Sequence, residues 1–204
     1  MHARLYQFCK RCMDMTISLL MLVLLSPVML VTALAVKLTS PGPVFYRQER
    51  LLNRDGDTFA MLKFRSMIQN AEELEGELAD NNLYGAGRLF KMHNDPRVTP
   101  LGRIIRKYSI DELPQLWQVL MGVMSLVGPR PIPTQLSDFE DWQLRRFDVK
   151  PGLTCTWQVS GRSDVAFTEW MRMDVEYVEH RGLLLDIKLL LQTIPAVLAG
   201  RGAY

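Results

Sequence analysis

The chain has 204 residues, and a net charge of +2 results from 24 basic and 22 acidic side chains. This length fits one domain, or one domain with a membrane element, and it is ample for a hydrophobic core. The near balance of charge creates no overall electrostatic field, so we expect no nucleic-acid partner. Three cysteines, Cys9, Cys12 and Cys155, lack the second pair of ligands that a zinc site would need.

An uncharged apolar segment covers residues 16–36. A straight helix needs ~20 apolar residues to cross ~30 Å of hydrocarbon, so this segment is just long enough, and it is too long for a signal peptide. Pro27 interrupts it, and the Ser26 hydroxyl can bond to a backbone carbonyl that the proline frees. Basic residues flank both ends: Arg4, Lys10, Arg11, Lys37, Arg47 and Arg50. This pattern favours a kinked, re-entrant helix with both ends in the cytoplasm, and an ordinary spanning helix with a proline kink stays open.

A β-hairpin is predicted after this segment. Residues 44–50 and 58–65 have strand character, and Asp55-Gly56-Asp57 between them is typical of a hairpin turn. Two aspartates at this spacing also resemble the metal motif of nucleotide-sugar glycosyltransferases. The turn explains them better, because Asp-Gly is common at hairpin tips.

Helices dominate the rest of the prediction, which gives an α+β, mostly helical protein with an N-terminal membrane helix, a short β-hairpin and amphipathic helices. In chain order we expect a solvated helix over residues 67–82, a loop over 82–90, helices over 101–108, 113–124 and 135–147, a strand over 151–162, and helices over 167–179 and 183–199. The last helix is expected to lie at the membrane interface. We divide the chain into a membrane helix with its flank, residues 1–40, and a cytoplasmic domain that includes the interface helices, residues 41–204.

Asp111 and Glu112 are the acidic pair in the most polar part of the chain. Ser109-Ile110-Asp111-Glu112 fits a helix capping box, in which both acidic side chains would be structural. Pro114 prefers the first turn of a helix, so the helix can also begin near Leu113 and leave Asp111 at an exposed lip. The spacing alone leaves both interpretations open.

Basic residues surround this pair: Arg97, Arg103, Arg106 and Lys107 before it, and Arg130 after it. The prolines of Gly128-Pro129-Arg130-Pro131 stiffen the backbone, so Arg130 would lose little freedom on binding a phosphate. Several arginines near a helix N-terminus predict a phosphate-binding site, because such a terminus already attracts anions.

These motifs resemble the monotopic phosphoglycosyl transferases, the bacterial polyprenyl-phosphate hexose-1-phosphate transferases. The resemblance covers nearly the whole chain. It comprises Ser26-Pro27, residues 63–67, 95–97, Arg106 with 109–116, 128–131, 150–154, 157–162 and 185–188. Larger members carry further N-terminal spanning helices and another domain, so this chain corresponds to a small member or a catalytic fragment. Cys155 stands where glycine is common.

The resemblance implies a chemistry. Asp111 would attack the β-phosphate of a UDP-sugar and release UMP, and undecaprenyl phosphate would then take the phosphosugar from Asp111. Glu112 would assist, and Mg²⁺ would bind at Asp111. The re-entrant helix, broken at Ser26 and Pro27, would hold the enzyme in one leaflet as a monotopic membrane protein, and residues 41–204 would be its catalytic domain. The substrate-binding residues implied are Lys63, Arg65, Arg97, Arg106, Pro129, Arg130, Pro131 and Arg162.

The resemblance also implies partners and a location. We expect a UDP-sugar of the glucose or galactose type, undecaprenyl phosphate and membrane lipids, at the cytoplasmic face of a bacterial inner membrane. A homodimer stays open. The alternatives are a polyprenyl-phosphate glycosyltransferase that releases UDP, and a membrane-surface scaffold that binds lipid phosphate without catalysis.

Overall fold

The structure is a computed structural model that describes residues 3–76, 78, 90, 92, 94–161 and 165–200. Its helices are α1 (Ala3–Thr39), α2 (Pro100–Lys107), α3 (Gln115–Met121), α4 (Thr156–Ser160), α5 (Phe167–His180) and α6 (Leu183–Ala199). Its strands are β1 (Phe45–Leu51), β2 (Thr58–Phe64), β3 (Ser125–Val127) and β4 (Gly152–Thr154). The prediction of a mostly helical α+β fold is confirmed.

Helix α1 contains the predicted apolar segment and continues through Pro27. Pro27 has no N–H for the carbonyl four residues earlier, which belongs to Val23. The Ser26 hydroxyl donates to that carbonyl at 2.8 Å, as the sequence predicted. Among the described helices, α1 is the one whose length and composition suit a membrane crossing, and only 11% of its most apolar stretch is buried.

Both ends of α1 contact the rest of the protein. Near the N-terminal end, the Arg11 guanidinium donates to the Val119 carbonyl at 2.7 Å and to that of Leu120 at 2.6 Å. Near the C-terminal end, Val36 is buried against Phe64 of β2 and Ile105 of α2. The apolar middle of α1 is therefore held from both sides by one folded unit.

The predicted hairpin is confirmed. Strands β1 and β2 are antiparallel, with Phe45 opposite Phe64 and Leu51 opposite Thr58. At the tip, the Asn53 side chain accepts hydrogen bonds from the backbone N–H groups of Asp55 and Asp57. Gly56 has a φ of 87°, which explains the glycine there.

A short parallel pair, β3 and β4, joins two distant parts of the chain, with Ser125 opposite Gly152 and Val127 opposite Thr154. A Cβ at residue 152 would lie 2.2 Å from the Gly128 nitrogen, so only glycine fits this close approach. The pairing fixes the backbone that leads directly into Pro129 and Arg130. The main core packs around it and consists of Leu116, Val119, Met124, Leu126, Val127, Tyr177, Val178 and Leu189.

Three sequence predictions are wrong. The described part of residues 67–82 forms mainly turns. Glu72 bonds to Tyr46 and Glu75 bonds to Arg97, and the segment has too few large apolar residues to pack a helix against the core. Residues 135–147 form two 3₁₀ turns, Leu136–Asp138 and Gln143–Asp148, instead of one helix. The strand predicted over 151–162 ends at Thr154, because Thr154 lies opposite Val127, the last residue of its partner β3. Helix α4 follows. The loop predicted at 82–90 lies outside the described residues except for Phe90.

Candidate active site

Asp111 and Glu112 lie on a single 3₁₀ turn, Ile110–Glu112, between α2 and α3. Ser109 adopts a left-handed conformation with a φ of 55°, and its side chain makes no capping hydrogen bond. The predicted capping box is therefore wrong, because the Glu112 side chain points to other partners. Asp111 is 6% exposed, so it lies inside the protein and not on an exposed lip.

Two cations hold the Glu112 carboxylate. The Lys63 ammonium, from β2, lies 3.0 Å from Oε1, and Arg130 Nη1 donates to Oε2 at 3.0 Å. Arg130 Nη2 also donates to Oε1, which makes the contact bidentate. Burial alone would raise the pKa of Glu112, but the adjacent Arg130 and Lys63 charges outweigh it and hold that pKa well below its usual range. The Glu112 side chain is therefore ionised and held in one position by Lys63 and Arg130.

The Asp111 carboxyl group has the opposite environment. Burial, followed by repulsion from Glu112, raises the pKa of Asp111 to about 6, although Lys63, Arg106 and Arg130 oppose this rise. None of the described residues donates a hydrogen bond to its side chain. The group is thus ionised near neutral pH and free to approach a ligand.

A cavity of about 1300 Å³ opens in front of this pair. Its polar lining includes Asp111, Glu112, Lys63, Arg130 and Arg50. Its apolar lining includes residues of α1 and α6, namely Ile17, Met21, Leu25, Val28, Leu190, Ile194 and Val197, together with side chains of several other elements. A molecule with an anionic head and a long apolar tail suits such a cavity.

The other predicted site residues fall into different environments. Arg106 lines the cavity, and its buried Nη1 has no hydrogen-bond partner among the described residues. Arg65 also lines it, but Nη2 is bonded at 2.7 Å to the Ser40 carbonyl and hydroxyl after α1. Arg97 is 3% exposed, and its donors bond to Asp95, to Glu75 and to the Ala71 carbonyl. Arg162 lies outside the described residues.

Pro129 and Pro131 contribute their backbones. The Pro129 carbonyl accepts a hydrogen bond from Gly152 at 2.9 Å, and the Pro131 carbonyl accepts one from Arg50 at 3.3 Å. Arg146 donates to the Arg130 carbonyl at 2.6 Å and forms a buried ion pair with Asp174 at 2.8 Å. The backbone around Arg130 is therefore held by hydrogen bonds on several sides.

Sequence reasoning assigned Arg50 to the membrane flank and missed its position in the cavity. The alternation of residues 46, 48 and 50 along the predicted strand is the signal that could have found it. In the structure, Tyr46 is the register partner of Lys63. Period-two alternation therefore puts Arg50 on the same face as Lys63. Trp157 was also missed as a lining residue, because it was predicted in a strand and lies on α4.

The carboxylate of Asp111 fits a magnesium ion that a bound substrate also helps to hold. The described residues contain no group of three or more His, Cys, Asp or Glu side chains that could enclose a metal. Magnesium commonly binds through one or two carboxylates together with substrate phosphates. Asp111 offers such a carboxylate, whereas both oxygens of Glu112 are already engaged.

Comparison with known proteins identifies the family. The bacterial sugar transferase family profile matches residues 5–200, which include every motif of the site. This chain belongs to the bacterial sugar transferase family. The family prediction is confirmed, and so is the prediction that the protein is an enzyme.

Several relatives are similar over most of this chain. The exopolysaccharide production protein ExoY of Sinorhizobium fredii is 40% identical over 199 residues, which cover 96% of this chain and 88% of the relative. The undecaprenyl-phosphate galactose phosphotransferase of Salmonella typhimurium is 43% identical over 97% of this chain and 42% of its own length. The UDP-glucose:undecaprenyl-phosphate glucose-1-phosphate transferase of Caulobacter vibrioides is 39% identical over 96% of this chain and 72% of its own length.

Proposed function

We propose that this protein transfers a sugar-1-phosphate from a UDP-sugar to undecaprenyl phosphate, with release of UMP, in the first membrane step of surface glycan assembly. The observation that carries the proposal is a buried carboxylate, Asp111, which accepts no hydrogen bond from the described residues and lies among cations in a cavity whose lining includes apolar side chains of α1 and α6. The names of the relatives from Salmonella and Caulobacter support the substrate class.

The reaction proceeds in two displacements. In the first, an Asp111 oxygen attacks the β-phosphorus of the donor, the bond from that phosphorus to the bridging oxygen breaks, and UMP leaves with the bond electrons. In the second, an oxygen of the lipid phosphate attacks the same phosphorus and the Asp111 carboxylate leaves. The covalent intermediate divides one difficult displacement into two easier ones.

Lys63, Arg106 and Arg130 supply positive charge where the phosphoryl group reacts. Phosphoryl transfer depends mainly on such positioning and charge stabilisation. Glu112 holds Lys63 and Arg130 in place, and its lowered pKa makes it a weak proton acceptor. We therefore assign Glu112 to the orientation of these two cations. When bound at Asp111, Mg²⁺ would neutralise part of the charge on the diphosphate.

A re-entrant α1 explains how a soluble donor and a lipid acceptor reach one site. The contacts of Arg11 and Val36 with a single folded unit support this topology, as do the basic residues on both flanks. We propose a location at the cytoplasmic face of the bacterial inner membrane, with α1 in one leaflet. The apolar surface that α1 and α6 give to the cavity then faces the lipid acceptor.

The donor is proposed to carry glucose or galactose, because relatives named for both sugars are similar over nearly the whole chain. A panel of UDP-sugars, scored by UMP release, identifies the sugar. The nucleotide product also separates the rival functions: a glycosyltransferase releases UDP, and a scaffold releases none.

Trapping of the intermediate tests the mechanism. The purified protein is incubated with Mg²⁺ and with UDP-sugar that carries a radiolabelled sugar, without lipid acceptor. We expect label on the wild-type protein and none on Asp111→Asn, and undecaprenyl phosphate should remove the label. Asp55→Asn at the hairpin tip is the matched control and should label normally. Labelled Asp111→Asn would refute the assignment of the nucleophile.

A further inference from the structure

Arg50 is a cavity cation without a carboxylate partner. Its Nη1 donates to the Pro131 carbonyl at 3.3 Å, and its Nη2 donates to the neutral Gln48 side chain. Its buried Nε has no partner among the described residues. By contrast, Lys63 and Arg130 both contact Glu112, and Arg146 contacts Asp174.

The surroundings of Arg50 disfavour its charge. Burial, followed by repulsion from Arg130, lowers the pKa of Arg50 to about 9, and attraction to Tyr46 and Glu112 does not compensate. Arg50 is half-buried, and a charge withdrawn from water without a bonded counter-ion destabilises a fold. Since the protein keeps a guanidinium here, an anionic ligand is the natural source of the missing charge.

The position of Arg50 indicates which ligand this is. Arg50 lines the same cavity as Asp111, and it bonds to the carbonyl of the residue directly after Arg130. We propose that Arg50 binds phosphate oxygens of the reacting substrate, beside Arg130, and is thus a further substrate-binding residue. This inference rests on the proposed function for the identity of the substrate, but anion binding by Arg50 can be tested without any turnover.

Two substrates carry the required chemistry, the diphosphate of the donor and the phosphate of the lipid acceptor. Single-turnover labelling of the protein by UDP-sugar reports the first, and removal of the label by undecaprenyl phosphate reports the second. The two steps are therefore measured separately. A loss of about ten- to a hundredfold is expected in the step that Arg50 serves, as for one charge-assisted contact.

Strand β1 offers a matched control. Arg47 lies three residues before Arg50, is exposed, and points to the opposite side of the strand. Arg50→Gln should slow one of the two steps, Arg50→Lys should restore part of the rate, and Arg47→Gln should behave like the wild type.

Thermal unfolding with inorganic pyrophosphate separates this inference from the proposed function. Pyrophosphate should raise the unfolding temperature of the wild type and of Arg47→Gln, and raise that of Arg50→Gln much less. Without ligand, Arg50→Gln should unfold at the wild-type temperature or above it, because a disfavoured charge is gone. A lower ligand-free unfolding temperature would indicate a structural arginine and overturn the proposal. Equal pyrophosphate responses in Arg50→Gln and Arg47→Gln would overturn it as well, even if no transfer activity were found.

Discussion

Asp111 and Glu112 are neighbours in the sequence, yet the cavity gives their carboxyl groups opposite properties. Glu112 receives three hydrogen bonds from Lys63 and Arg130, and its pKa falls. Asp111 receives none from the described residues, and its pKa rises. A pair of acids with separated pKa values is typical of sites in which the two groups have different roles. Here one carboxylate orients the cations, and the other is available as a nucleophile.

Arg97 and Arg106 were both expected to bind substrate, but their contacts predict different phenotypes. Arg97→Ala should lower the free energy of unfolding by about 3–5 kcal/mol, because it leaves the buried Asp95 carboxylate without its partner. Arg106→Ala should leave stability nearly unchanged and lower kcat/KM about ten- to a hundredfold. Unfolding curves and steady-state kinetics on both variants check this. A stable but inactive Arg97→Ala protein would instead identify Arg97 as a substrate-binding residue.

Cys155 should resist thiol reagents. It is 2% exposed, and burial, followed by the nearby Asp174 charge, raises the pKa of its thiol well above the ordinary value. Since the thiolate is the reactive form, a maleimide at pH 8 should modify exposed Cys12 and leave Cys155 intact in the folded protein. Peptide mass spectrometry before and after denaturation measures both. Modification of Cys155 at the rate of Cys12 would contradict the buried position.

At the scale of elements, α1 is joined to α6 and β3 by buried polar contacts. Asp186 of α6 is fully buried and accepts hydrogen bonds from Tyr6 at 3.0 Å and from Tyr177 at 2.7 Å. Asp14 accepts one from the Leu126 backbone N–H at 3.1 Å. Leu126 lies on β3, the strand that leads into Arg130. The position of the membrane helix and that of the phosphate-binding loop are therefore physically connected.

Ser26 and Pro27 inside α1 predict the topology of the chain. Replacing Ser26 and Pro27 with leucine restores a regular apolar helix of sufficient length to span the bilayer. We expect its N-terminus to leave Val119 and Asp186 and to cross the membrane, and activity should fall although no polar site residue is altered.

Cysteine accessibility measures this change. Single substitutions Arg4→Cys and Arg47→Cys, in a background without the native cysteines, should both be labelled from the cytoplasm alone. After the Ser26 and Pro27 replacement, the residue at position 4 should become accessible from the periplasm while the one at 47 does not. Periplasmic labelling at position 4 with the native Ser26 and Pro27 would identify α1 as an ordinary spanning helix.

At the scale of the molecule, exposed apolar side chains occur on α1, α2, α3 and α6. They include Leu20 and Leu24 of α1, Ile104 of α2, Trp117 and Met121 of α3, and Leu184, Leu191 and Leu198 of α6. Large apolar surfaces of this kind mark membrane or protein contacts. Together with the apolar α1, they are consistent with an enzyme that rests in a membrane interface.

Leu184 tests the role of α6 in that interface. It is 85% exposed and is not one of the residues that line the cavity, so Leu184→Glu should not disturb the core or the site, but it should lift α6 from the lipid. We expect turnover of undecaprenyl phosphate in vesicles to fall several-fold, while protein labelling by UDP-sugar alone persists. Gln192→Glu adds the same charge at an exposed polar position and is the control. Equal turnover by the two variants would exclude α6 from the interface.

What the sequence determined by itself is the local structure where one strong signal acts on its neighbours, and the set of reactive residues; the segments 67–82, 135–147 and 151–162, which lack such a signal, were predicted wrongly. The apolar segment, the Asp-Gly turn and the paired prolines act on neighbouring residues, so their effects can be read along the chain. Family membership followed from ordered motifs in the same way. The tertiary structure decided what depends on distant partners: that Glu112 bonds to Lys63 and Arg130 and does not cap a helix, that Arg97 bonds to Asp95 and Glu75, and that Arg50 enters the cavity. The physical reason is that the charge and hydrogen bonds of a side chain depend on burial and on the groups beside it. Around Glu112 these groups meet only when β2, the turn Ile110–Glu112 and the loop after β3 pack together.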